Sequence, residues 1–178
     1  MAPLFVFIIL CFSQLDWDKA DRETVRLPPS AFPELPTAIA SDLNRRGCTI
    51  PQSPEVQGKH NVIRGHFARP DQIDWAVLCS VKRVSTILVF WNGSPANPAT
   101  LESRPDTDRL QSWGGDKIIY RWQIAPVGEA YIMEHYNAYG GPKPPPIDHE
   151  GIDDRFVGKA SEVLYFYNGK WLHLTGAD

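Results

Sequence analysis

Hydrophobic residues recur along the chain with two different periods, and each period predicts a different element. From Leu35 they return every fourth residue at Ile39 and Leu43, which predicts a helix with one apolar face. Pro36 suits the first position of that helix, and Gly47 can supply a left-handed cap at its end. We therefore expect one helix near the N-terminal end of the fold.

Beyond this helix, short apolar runs alternate with turn-like residues and predict strands. Seven runs are of this kind: 61–68, 74–81, 85–91, 117–125, 129–136, 161–167 and 171–175. Asn168-Gly169 separates the last two and is a strong hairpin signal, because both residues accept positive φ. The predicted fold is α+β, with a mainly antiparallel sheet of about seven strands and one N-terminal helix.

Two segments of nine residues are nearly the same: 85–93 reads S-T-I-L-V-F-W-N-G and 161–169 reads S-E-V-L-Y-F-Y-N-G. Both are apolar at even and odd positions, which predicts strands covered on both faces. We interpret them as equivalent strand-turn units in which Leu88, Phe90, Leu164 and Phe166 are buried. Chance convergence of β-forming residues is the alternative.

The N-terminal residues 4–12 form a continuous apolar run that is too short to cross a bilayer. Its length is typical of a secretory signal, and the small residues around Ser13 suit cleavage, although no Lys or Arg precedes the run. We predict a signal peptide at 1–13, a leader at 14–30 and one globular domain at 31–178. The protein would then be secreted or periplasmic, with no membrane span after cleavage. A buried first strand is the alternative for this run.

Charge and cysteine content restrict the possible binding partners and the cellular compartment. The formal net charge of -3 provides no basic surface for nucleic acid or anionic lipid. Signal removal leaves Cys48 and Cys79, an even number that is expected in an oxidising compartment. We predict a disulfide between them, and two buried free thiols are the alternative.

Residues 61–93 resemble a single repeat of the FG-GAP or VCBS type. The resemblance rests on Gly65-His66-Phe67, a loop that contains Asp71, Asp74-Trp75-Ala76-Val77 and a second strand at 85–93. It implies an extracellular hairpin unit, and in that family the acidic loop often binds calcium. Here the loop offers two aspartates beside an Arg, a poor set for an ion that takes six or more oxygens.

The one concentrated polar segment holds the candidate metal ligands Asp148, His149, Asp153 and Asp154. Imidazole and carboxylates in this pattern suit a divalent ion or general acid–base chemistry. A charged surface loop explains the same residues without a function. No nucleophile motif, phosphate-binding loop or cofactor signature accompanies them, so no cofactor is predicted.

Aromatic residues provide the rival hypothesis, since exposed rings stack on sugars or contact protein partners. Tyr136 and Tyr139 lie next to a Gly/Pro-rich segment and are the candidates for exposure, with His149 and Glu150 as further ligand contacts. We expect a non-enzymatic binding domain for a protein or carbohydrate ligand, with no catalytic residue assigned. The alternative is a metal-dependent or acid–base hydrolase that uses residues 148–154.

Overall fold

A computed structural model describes residues 16–115 and 117–178, so the predicted signal peptide lies outside the described residues. The described residues contain three α-helices: α1 (Trp17–Glu23), α2 (Thr37–Arg46) and α3 (Glu129–Tyr139). The strands are β1 (Arg26–Leu27), β2 (Ile50–Pro51), β3 (Val62–Gly65), β4 (Asp74–Val81), β5 (Val84–Phe90), β6 (Ala99–Pro105), β7 (Leu110–Ser112), β8 (Ile118–Tyr120), β9 (Trp122–Val127), β10 (Gly151–Phe156), β11 (Ala160–Tyr167) and β12 (Lys170–Thr175).

Two four-stranded antiparallel sheets dominate the fold, with orders β3-β4-β5-β6 and β12-β11-β10-β9. Two smaller antiparallel pairs, β1-β2 and β7-β8, lie beside them. The α+β class with antiparallel sheets is confirmed. The single sheet of about seven strands is wrong, because the described residues form twelve strands in four sheets.

The buried side chains fall into three clusters, which define four layers. α2 packs on the outer face of the β3–β6 sheet, with Ile39 and Phe90 fully buried between them. Side chains of both large sheets meet in a central cluster that includes Val89 and Ile152. α3 covers the outer face of the second sheet through Ile132. The order is therefore helix, sheet, sheet, helix.

The predicted helix is confirmed as α2. It ends at Gly47, whose φ of 72° places it in the left-handed region that glycine adopts without steric cost. Cys48 follows directly and is bonded to Cys79 of β4, with 5.4 Å between the two Cα atoms. The disulfide thus fixes the end of α2 to a central strand.

Removing this disulfide should lower the free energy of unfolding by about 3–4 kcal/mol, because the link between two cysteines 31 positions apart no longer restricts the unfolded chain. Urea unfolding of the Cys48→Ser/Cys79→Ser variant against the oxidised protein measures the loss. The wild-type protein in reductant should match the double variant. A reductant that leaves the midpoint unchanged would contradict the prediction.

The two similar nonapeptides are both strands that end in a turn, as predicted. Asn168 and Gly169 have φ of 49° and 77° and form a two-residue turn between β11 and β12. Three of the four predicted core positions are buried, but Phe166 is half-buried, so that part of the prediction is wrong. The copies also present opposite faces to the central cluster, since Val89 occupies it from β5 and Leu164 from β11.

The strand predicted at 129–136 is wrong, because these residues belong to the helix α3. The surface loop considered for 148–154 is also wrong for its second half, which is the central strand β10. The predicted leader at 14–30 contains α1 and β1, and Ala20 of α1 contributes to the central cluster. None of the described helices is long and apolar enough to cross a membrane.

Candidate functional site

The predicted ligand contacts Tyr136 and Tyr139 lie near the end of α3. Tyr139 is 53% exposed, and its hydroxyl donates a hydrogen bond to the carbonyl of Asp178 at 3.2 Å. Tyr136 is half-buried. Among the described residues, no hydrogen bond or ring contact joins either tyrosine to His149 or Glu150.

His149 is part of the scaffold. Its side chain is only 4% exposed, and Nε2 donates to the carbonyl of Phe166 at 2.9 Å. Nδ1 lies 2.7 Å from both Asp148 Oδ1 and the hydroxyl of Tyr165. The hydrogen bond from His149 lowers the pKa of the Asp148 carboxyl below its usual value. Because both ring nitrogens have partners within the chain, the imidazole has no free nitrogen for a metal or a substrate.

Asp153 and Asp154 are consecutive in β10 and point to opposite faces of the sheet. Asp153 accepts hydrogen bonds from the Tyr131 hydroxyl at 3.1 Å and from Arg155 at 2.8 Å. Asp154 faces the central layer, 3.6 Å from the guanidinium of Arg109, and burial raises the pKa of its carboxyl. The four candidate metal ligands from the sequence therefore do not converge on one point.

Glu150 binds the backbone of His66, which lies in the segment Gly65-His66-Phe67. Its Oε2 accepts from the backbone N–H of His66 at 2.7 Å, and its own N–H donates to the His66 carbonyl at 2.9 Å. Gly65 makes this approach possible, because a Cβ there would lie 2.7 Å from the Phe67 ring and 2.9 Å from Glu150 Oε2. Glu150 thus has a structural role through Oε2, which links the segment leading into β10 to the end of β3.

A different part of the surface has the shape of a binding site. A cavity of about 320 Å³ lies where α1, β8 and residues 52–54 meet, and we call it the α1–β8 groove. Its lining consists of Ala20, Glu23, Thr24, Val25, Gln52, Ser53, Pro54, Lys117, Ile118, Ile119 and Tyr120. An adjoining cavity of about 440 Å³ shares Ala20, Glu23, Lys117 and Ile118 and extends the groove along α1. This volume is within the range of small ligand sites.

A network of buried charges fixes the α1 side of the groove. Asp21 of α1 is buried and accepts hydrogen bonds from Arg26 and Arg83. Arg26 also bonds to the fully buried Asp106 at 2.6 Å, and Asp106 accepts from the Ser80 hydroxyl at 2.7 Å. Since ionic pairs that are buried and fully bonded resist displacement, this seven-residue helix has a fixed position against the sheet.

The buried His60 fixes residues 52–54 on the opposite side of the groove. Gln52 and His60 exchange two hydrogen bonds, of 2.9 and 3.0 Å, through the Gln52 amide and the His60 backbone. The His60 ring accepts from the Ser53 N–H at 2.7 Å, which requires a neutral Nε2. Burial accordingly lowers the pKa of His60 below its usual value. These internal bonds use the polar groups of Gln52 and Ser53 and leave the groove mainly apolar.

Large exposed hydrophobic side chains concentrate around the groove. Trp17, Val25 and Trp113 are 39%, 59% and 48% exposed, and they are half of the six such residues in the described chain. Trp17 precedes Ala20 by three residues, so both lie on the same face of α1. The Trp113 ring lies 4.9 Å from the ammonium of Lys117, a lining residue. A concentration of this kind is typical of an interaction surface.

Sequence reasoning missed the groove because its three segments are far apart in the chain. Residues 20–25 fall in the predicted leader, and 52–54 and 117–120 had no functional signal. The hydrophobic residues Trp17 and Val25 in a predicted leader are the one hint that the sequence contained. No protein-family model, curated protein or solved structure matches the chain.

Proposed function

We propose that this protein is a non-enzymatic binding domain of an oxidising compartment, and that the α1–β8 groove receives an apolar side chain of a partner polypeptide. The observation that carries the proposal is the apolar groove with Trp17, Val25 and Trp113 exposed around it. Protein interfaces obtain most of their binding energy from a few aromatic or aliphatic anchors that fill such pockets. The Cys48–Cys79 disulfide supports an oxidising compartment, because disulfides form and persist there.

A protein partner suits the groove better than a carbohydrate does. Sugar recognition requires many free hydrogen-bonding groups beside the aromatic rings, whereas Gln52 donates and accepts within its own loop. The rim charges have mixed sign, with Lys19 paired to Glu23 at 3.9 Å and Lys117 nearby. Because neither sign of charge dominates the rim, electrostatic attraction does not select the partner. Apolar contact is then the main source of affinity for it.

The proposal can be tested by titrating the ¹⁵N-labelled protein with N-acetyl-tryptophanamide, as a side-chain mimic, and with maltose. N-acetyl-tryptophanamide should shift the backbone amide signals of Ala20, Thr24, Ser53 and Ile119, and maltose should leave them unchanged. Val25→Asp should weaken this binding about tenfold, because it places a charge in an apolar contact.

Val84→Asp is the matched control, since Val84 is also an exposed valine, 42% exposed, but belongs to β5 and does not line the groove. It should leave the affinity unchanged. Equal effects of the two substitutions, or shifts that occur with maltose alone, would overturn the proposal.

A further inference from the structure

Three side chains that could bind a metal meet where the two large sheets approach each other. Glu102 comes from β6, Glu162 from β11 and His173 from β12. One ligand atom from each lies within 4.8 Å of the other two. His173 Nδ1 is 2.7 Å from Glu162 Oε2 and 4.0 Å from Glu102 Oε1. None of these residues belongs to the α1–β8 groove or to the segment 148–154.

The fold holds each of these side chains in place. Glu162 and His173 lie diagonally on neighbouring strands, since Leu164 faces His173 in the register. Glu102 lies where the β5–β6 register shifts, and its φ of 48° directs its side chain differently from its neighbours in β6. The fully buried Arg109 donates to the Glu102 carbonyl at 3.1 Å and fixes this conformation.

One oxygen of the Glu102 carboxylate already accepts a hydrogen bond from within the chain, and the second oxygen is available to a ligand. Arg104 donates to Glu102 Oε2 at 2.9 Å, whereas Oε1 faces His173. Arg104 thereby orients the carboxylate and also offsets one of the two negative charges. The His173 side chain is 50% exposed, so solvent can reach the point between the three ligand atoms.

We propose that Glu102, Glu162 and His173 form a three-ligand site for a divalent cation of the zinc type, with solvent in the fourth position. Imidazole together with carboxylates is a donor set for zinc, which binds these atoms at about 2.0–2.2 Å in tetrahedral geometry. The ligand atoms of such a site are about 3.5 Å apart, and the present separations of 2.7 and 4.0 Å lie on either side of that value. Calcium would need six or more oxygens, which this set does not provide.

Calorimetric titration of the chelator-treated, oxidised protein with ZnCl₂ tests the site. The wild-type protein should bind one zinc ion, and Glu162→Gln and His173→Gln should each weaken binding at least tenfold. The ring signals of His173 should shift during the titration, which locates the ion independently of the affinity. CaCl₂ should produce no heat at the same concentrations.

Glu134→Gln and His135→Gln on α3 are matched controls, since they are the same substitutions in residues outside the site. They should bind zinc as the wild-type protein does, and all four variants should unfold at the wild-type temperature without metal. If His173 only links the two carboxylates as an imidazolium, zinc will produce no His173 shift and no saturable heat. That result, or equal affinities of the wild type and His173→Gln, would overturn the proposal.

Discussion

Replacing Asp74 with alanine should lower the free energy of unfolding by about 3–5 kcal/mol, because three backbone N–H groups lose their acceptor. Asp74 is fully buried at the start of β4. Its Oδ2 accepts from the N–H groups of Phe67 and Ala68 at 3.1 and 2.9 Å. Its Oδ1 accepts from the Gln72 amide at 2.6 Å and the Asn92 N–H at 2.8 Å.

Asp71→Ala is the matched control, because this aspartate lies in the same loop but its side chain is 79% exposed. It forms an ion pair with the exposed Arg69 at 2.9 Å, and such pairs contribute little. Urea unfolding of Asp71→Ala should agree with the wild type within about 0.5 kcal/mol. Similar losses at the two positions, or a loss below about 1 kcal/mol for Asp74→Ala, would contradict this account of the loop.

The two aspartates also show what the sequence alone can resolve. The pattern from Gly65 to Val77 placed both in one loop of a hairpin unit, and β3, β4 and β5 are indeed antiparallel neighbours. It could not separate Asp71 from Asp74, because burial depends on donors that come from distant parts of the chain. Asn92, for example, follows Asp74 by 18 residues. The resemblance to the FG-GAP or VCBS repeat itself stays a prediction.

Local signals predicted elements well where the local chemistry is unambiguous. Gly47 ends α2 as expected, and Asn168-Gly169 forms the expected turn. Pro36, expected at the first position of α2, lies one residue before it. The interpretation of 129–136 as a strand failed because β-forming aromatic residues were given more weight than their spacing. Tyr131, His135 and Tyr139 recur every fourth residue, and their rings follow one another along α3 with centroids 4.1 and 6.1 Å apart.

β10 was missed for a long-range reason. Two adjacent aspartates at the middle of a strand predict a solvated loop, since an unpaired carboxylate is costly to bury. In the fold, Arg109 lies beside Asp154, and Arg155 and Tyr131 donate to Asp153 Oδ2 from the other face. Arg109 precedes Asp154 by 45 residues, so no local pattern reveals the pair. The α1–β8 groove and the Glu102–Glu162–His173 cluster escaped prediction in the same way.

The two similar nonapeptides should respond unequally to the same truncation. Phe90→Ala should cost about 3–5 kcal/mol, because the ring is fully buried beneath α2 and its removal leaves a cavity. Phe166→Ala should cost about 2 kcal/mol, because the half-buried ring loses less apolar contact on truncation. What it loses is chiefly its packing against Trp91 and Trp171, with ring centroids at 5.0 and 5.3 Å.

Chemical unfolding of the two variants, with equal denaturant slopes, measures this difference directly. Since Phe166 packs against Trp91 and Trp171, its truncation should also change the tryptophan fluorescence of the folded protein. Phe90→Ala should change it as well, because Phe90 faces Trp75 across β4 and β5 in the cluster beneath α2. Both variants should bind N-acetyl-tryptophanamide as the wild type does, since neither residue lines the α1–β8 groove. Equal stability losses would mean that the copies are equivalent in packing as well as in sequence, and lost binding in a folded Phe166→Ala variant would make β11 part of the binding site.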